Sequence, residues 1–61
     1  MNITITINTD NAAFEYQAGL EVARILRDLA RQVQNWPGRN KFRLSCMDIN
    51  GNKVGSLEVK P

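Results

Sequence analysis

Side-chain catalysis needs a nucleophile beside a base, or two carboxylates whose surroundings drive their pKa values apart. The chain has a single cysteine, Cys46, and no histidine, so the commonest general base is absent. Cys46 lies on the inward side of an expected strand, where a thiol is buried and inert rather than activated by a nearby cation. Of the carboxylates, Glu21, Asp28 and Glu58 each have a basic residue at ion-pair spacing, and Asp10 and Asp48 stand where turns favour aspartate. Glu15 is left without a role, and one carboxylate makes no mechanism. No catalytic residue and no cofactor is assigned, and the chain is read as a non-enzyme.

Metal chemistry is no better supplied. One cysteine without histidine cannot build an ordinary zinc site or an internal disulfide. Asp48, Asn50 and Asn52 fall at the first, third and fifth positions of what resembles a calcium loop. That loop wants glycine at its sixth position and glutamate at its twelfth, whereas Gly51 and Gly55 fall at the fourth and eighth and Glu58 at the eleventh. An ordinary hairpin turn explains the segment better.

Two binding chemistries remain. Arg24, Arg27 and Arg31 share one side of an expected helix, and Arg43, with Arg39 and Lys41 near it, extends a stripe able to neutralise phosphates. Glu21 and Asp28 interrupt that stripe, and no aromatic residue is interleaved for base stacking. Nucleic-acid binding is therefore the alternative. The leading reading is protein binding, by a partner or a second copy, through an open sheet face carrying Met47, Ile49 and Val54 beside Thr4 and Thr6, with Trp36 at the helix end. The first strand adds an edge with no charge or proline to discourage pairing with another chain, and a homodimer would hide it.

The elements that must position these groups are legible from periodicity. Asn2 to Asn8 alternates strictly, which predicts a half-buried strand with Ile3, Ile5 and Ile7 inward. Thr9-Asp10-Asn11 ends it. Phe14 and Tyr16 read as anchors pinning a connector to the core, with a short helical turn after Asp10 as the alternative. From about Gly19 to Trp36, Val22, Leu26, Leu29, Val33 and Trp36 recur at helical spacing, widened by Leu20, Ile25 and Ala30. Glu21, Arg24, Asp28, Arg31 and Asn35 fall on the far side. Pro37-Gly38 stops the helix.

Asn50-Gly51 is the favoured centre of a two-residue type I′ turn, so the last third is expected to be a hairpin. Counting outward puts Cys46 opposite Gly55, Leu44 opposite Leu57 and Phe42 opposite Val59 on one face. The other face then sets Arg43 against Glu58, Ser45 against Ser56 and Met47 against Val54. The expected fold is α+β, strand-helix-strand-strand, one helix on one face of a three-stranded sheet, residues 1–61 forming a single domain. Antiparallel order 1-3-2 is preferred, and parallel pairing of the first two strands by a right-handed crossover is the alternative.

Three segments together, Asp10-Asn11-Ala12-Ala13-Phe14, Glu21 to Ala30 and Asp48 to Gly55, resemble short uncharacterised proteins encoded in bacteriophages and prophages. The resemblance implies a small accessory protein acting in the cytoplasm of a bacterial host; it implies no activity, cofactor or site residue. Composition agrees with a folded chain. Of its 61 residues 43% are hydrophobic and 23% charged, and the net charge of +2 permits an acidic partner without demanding one. The N-terminal alternation lacks the charged start and apolar run of a signal peptide, and no stretch approaches the ~20 apolar residues of a membrane span.

Overall fold

The isoleucine and threonine alternation at the start of the chain does form a strand, β1 (Asn2–Ile7). A short 3-10 turn follows at Ala12–Phe14, then helix α1 (Ala18–Val33), strand β2 (Phe42–Met47) and strand β3 (Lys53–Lys60). The computed structural model describes residues 1–39 and 41–60. All pairing is antiparallel in the order β1-β3-β2, the preferred topology.

Register sorts the sheet into two unlike faces. Across β1, β3 and β2 run the rows Ile7, Gly55, Cys46; Ile5, Leu57, Leu44; and Ile3, Val59, Phe42. This is the face the helix covers, and the core is Ile25 and Leu29 from the helix, Phe14 from the 3-10 turn, and Cys46, Val54, Leu57 and Val59 from the hairpin. The opposite face shows the rows Thr6, Ser56, Ser45 and Thr4, Glu58, Arg43, which are hydroxyl-rich and charged. Burying the apolar rows supplies the folding free energy, roughly 25 cal/mol for each Å² withdrawn from water.

The helix is shorter than its periodicity suggests. It starts after Gln17, which sits in the left-handed region (φ 53°) and offers no side-chain cap. After Val33 the chain tightens, with Asn35 and Trp36 amides donating to Gln32 and Val33 carbonyls at 3.3 and 3.0 Å, before Pro37. The buried seam is Ala18, Val22, Ile25, Leu29 and Val33, so Leu26 and Leu20 fall outside it and are exposed. Phe14 is the anchor expected of it; Tyr16 is not one, being 81% exposed.

The hairpin departs from expectation by one residue and then recovers it. The Gly51 amide donates to the Asp48 carbonyl (3.0 Å) and the Asp48 amide to the Asn52 carbonyl (2.8 Å), which closes a three-residue loop of Ile49, Asn50 and Gly51. Gly51 takes φ +83°, the left-handed position that ends such loops. This loop would put β2 and β3 one residue out of step, and an irregularity beside Cys46 and Met47 restores the count, so that Met47 pairs with Lys53 while Cys46 pairs with Gly55. Val54 is the extra residue. It turns onto the helix side and is buried among the core residues, so the expected Met47–Val54 pair on the open face does not form.

Candidate functional site

The helix is tied to the β2 side of the sheet by polar groups that a helical wheel places facing solvent. Glu21 is only 9% exposed. Its carboxylate accepts from Arg24 Nε at 2.7 Å, from Arg24 Nη2 at 3.2 Å and from the Ile49 amide at 2.8 Å. Arg24 Nη2 also donates to the Met47 carbonyl at 2.9 Å. Asp48, 4% exposed, accepts from the Asn50 and Asn52 amides, the Asn52 side chain and Asn11 Nδ2, the last at 2.6 Å. Asn11 caps the 3-10 turn by accepting from the Ala13 amide, so one side chain joins the turn to the hairpin loop.

These bonds set the charge states. The Arg24 guanidinium, helped by the Ile49 amide, holds the Glu21 carboxyl below its usual range, against burial and the Asp48 charge. The Asn52 amide foremost, then the Asn52 and Asn11 side chains and the Asn50 amide, lower Asp48 against the pull of burial. Asp48 therefore spends its lone pairs on N–H donors, which makes it a loop-closing residue. Burial alone pushes the Cys46 thiol up, away from nucleophilic reactivity.

The β1 side is the reverse. Ile3 and Ile5 are on the helix face by register, yet they are 54% and 44% exposed, because the helix packs toward the hairpin, with its closest strand approach at β2. The inward orientation expected of them is right and the burial is not; only Ile7 packs against the core. The Asn8 amide donates to the Val54 carbonyl at 2.8 Å. Ladder bonds alternate along an antiparallel pair, so Asn2, Thr4 and Thr6 turn their backbone groups toward β3 while Ile3, Ile5 and Ile7 turn theirs outward. No strand takes up those groups among the described residues. Residues 1–9 contain no charged side chain, so the edge is unguarded.

The structure does not gather the candidates named for protein binding into one patch. Thr4, Thr6 and Met47 are exposed on the open face and Ile49 is exposed at the hairpin tip, but Val54 is in the core. Trp36 packs against the core and stacks on Phe42 with ring centroids 5.7 Å apart. The arginines are divided too. Arg24 is held by Glu21 and Met47, Arg31 pairs with Asp28 at 3.0 Å, and Arg43 lies on the far side of the sheet, 3.5 Å from Glu58. Arg27 is exposed on the helix, and with Arg43 across the sheet the four do not form one stripe. A shallow depression of about 540 Å³ lies between Lys41, Phe42, Arg43, Glu58, Val59 and Lys60, but Glu58 bridges Arg43 and Lys60 within it.

The elements define an α+β domain with one helix on one face of a three-stranded antiparallel sheet, and with one sheet edge guarded and one open. Among the described residues no helix is long and apolar enough to cross a membrane, and no three metal-ligating side chains gather. Comparison with protein-family models, with curated proteins and with solved structures gives no match to this chain.

Proposed function

We propose that this protein is a non-enzymatic protein-interaction module that works by strand addition at β1. One observation carries the reading: a six-residue edge whose outward backbone groups are at Ile3, Ile5 and Ile7 also leaves the Ile3 and Ile5 side chains uncovered. An added strand would find main-chain hydrogen bonds along the edge and an apolar strip beside the helix. This moves the docking surface from the open face, which is polar, to the first strand. The resemblance to phage and prophage proteins would set the activity in the cytoplasm of a bacterial host.

The test is a titration with a peptide of alternating threonine and valine, followed through backbone amide resonances. The Ile3, Ile5 and Ile7 amides shift first if the reading holds, and the same peptide N-methylated on alternate amides leaves them unmoved. Shifts confined to the helix arginines or to Lys41, Arg43 and Lys60 would sink it, as would no response at ~1 mM peptide, a concentration that detects even very weak binding.

A further inference from the structure

The β1 edge matches itself. Resting on the strand-addition reading, we propose that the occupant is a second copy of this chain, its β1 running antiparallel with Ile5 opposite Ile5. In that register Ile3 meets Ile7, Thr4 meets Thr6, and every pair across the join is like with like. The parity of the ladder agrees independently. A new antiparallel pair must oppose residues whose backbone groups point outward, and in this register those are Ile3, Ile5 and Ile7 of both copies, giving about six bonds. A register displaced by one residue would set outward groups against inward ones and throw isoleucine against threonine.

The two-fold axis through Ile5 stands normal to the sheet, so both helices lie on the same side and the uncovered isoleucines are enclosed between them. No charged side chain lies along the joining strands, since residues 1–9 carry none. The accessible area also fits. The chain exposes 4456 Å². That is roughly 450 Å² more than a monomer of this mass normally shows, and its Cα radius of gyration of 12.2 Å exceeds the ~10.5 Å usual for this length. Were all of that excess withdrawn at the join, two copies would bury about 900 Å², below the ~1,200 Å² floor of standard interfaces and within the range of weak ones. The dimer is thus of the weak, reversible kind. Growth stops at two, because the remaining edges are both β2, where Arg43 carries charge and Arg24 already occupies the Met47 carbonyl.

Sedimentation from about 1 μM to 1 mM chain, a span that reaches weak association, is expected to pass from monomer to dimer, and Ile5→Lys to move the midpoint at least ~10-fold. Register is read by oxidation. Thr4→Cys and Thr6→Cys chains cross-link when mixed. Either alone stays uncoupled, because like positions are offset by roughly 7 Å along the strands and lie out of disulfide reach. The parent chain, whose Cys46 is buried, is the control. Monomer mass at the top concentration overturns the proposal, and so does a dimer in which each variant couples to itself as readily as to the other. If the chain is monomeric while the peptide still shifts the Ile3, Ile5 and Ile7 amides, self-pairing alone fails; if neither occurs, strand addition fails with it.

Discussion

The two edges of one sheet are built on opposite terms. Along β2 the outward backbone groups belong to Arg43, Ser45 and Met47; Arg43 brings charge, Met47 has its carbonyl capped by Arg24, and the loop beyond is closed by Asp48. Along β1 they belong to three isoleucines with neither charge nor cap. The helix explains the asymmetry. Its polar bonds, Glu21 to the Ile49 amide and Arg24 to Met47, are both on the β2 side, and they hold it toward the hairpin and away from β1. Guarding one edge leaves the other bare.

The row Ile5, Leu57, Leu44 crosses the whole gradient and gives the largest expected effect. Leu57 is fully packed beneath the helix, so Leu57→Ala should cost about 2–5 kcal/mol. A core of this size supplies only roughly 3–5 kcal/mol, so this variant should be substantially unfolded in urea titrations extrapolated to water. Ile5→Ala in the same row should cost about 1 kcal/mol or less, because the side chain is already half in water. Equal losses would show that the helix covers β1 after all.

Gly55 is the next point of attack, since the β1 backbone occupies the space a side chain there would need. A Cβ there would stand 1.8 Å from the Thr6 carbonyl oxygen, and backbone has to move to admit it. Gly55→Ala is expected to lose about 1–3 kcal/mol, with amide protection falling first at Thr4 and Thr6 and last in β2. Uniform loss along all three strands would place the strain elsewhere.

Much of this architecture is legible in the amino-acid sequence, and the parts that are not share a cause. Element order follows from periodicity and the pairs from Phe42–Val59 to Cys46–Gly55 from counting outward from Asn50-Gly51, whereas order 1-3-2 is only the preferred one in the sequence, which leaves a parallel pairing of the first two strands open. The loop escaped because Asn50-Gly51 is a strong local signal for a two-residue turn. The Asp48 carboxylate outbids it by holding the Asn50 and Asn52 amides, and the buried Val54 absorbs the slip. Glu21 escaped because its partner amide at Ile49 is 28 residues away, beyond any helical neighbour rule. The exposed edge at β1 was visible as an uncharged alternating strand. What could not be seen was that its isoleucines stay half in water, since that depends on where a helix only about 10 Å across comes to rest.

Acid separates the edges by a different route. Glu21 and Asp48 titrate below their usual 4.5 and 3.8 in the folded state. The folded chain therefore binds fewer protons than the unfolded one in that window. The stabilisation is complete above the usual values and disappears as pH falls through the lowered ones. Circular dichroism on acidification should show the transition at higher pH in Arg24→Gln, which removes the main influence lowering Glu21 and leaves the Ile49 amide alone to oppose burial. Amide exchange should show the hairpin loop opening before β1, which has no ionisable side chain of its own. An unchanged acid midpoint in Arg24→Gln would mean that Glu21 contributes nothing to holding the helix on β2.

Arg43→Thr should alter stability least and test the contrast most directly. Arg43 is exposed, its ion pair with Glu58 is 3.5 Å long, and Lys60 at 3.6 Å keeps that carboxylate neutralised when the guanidinium is gone. Exposed pairs of this type contribute about 0–1 kcal/mol, so the urea midpoint should barely move. The substitution does remove the charge from the middle of β2 and puts there the β-branched residue that β1 carries at Thr4 and Thr6. If charge is what guards this edge, association should no longer stop at a dimer, and sedimentation should show larger, concentration-dependent species joined through β2. If the variant stops where the parent does, the guard is Arg24 on the Met47 carbonyl, and Arg24→Gln at neutral pH should be the substitution that opens β2.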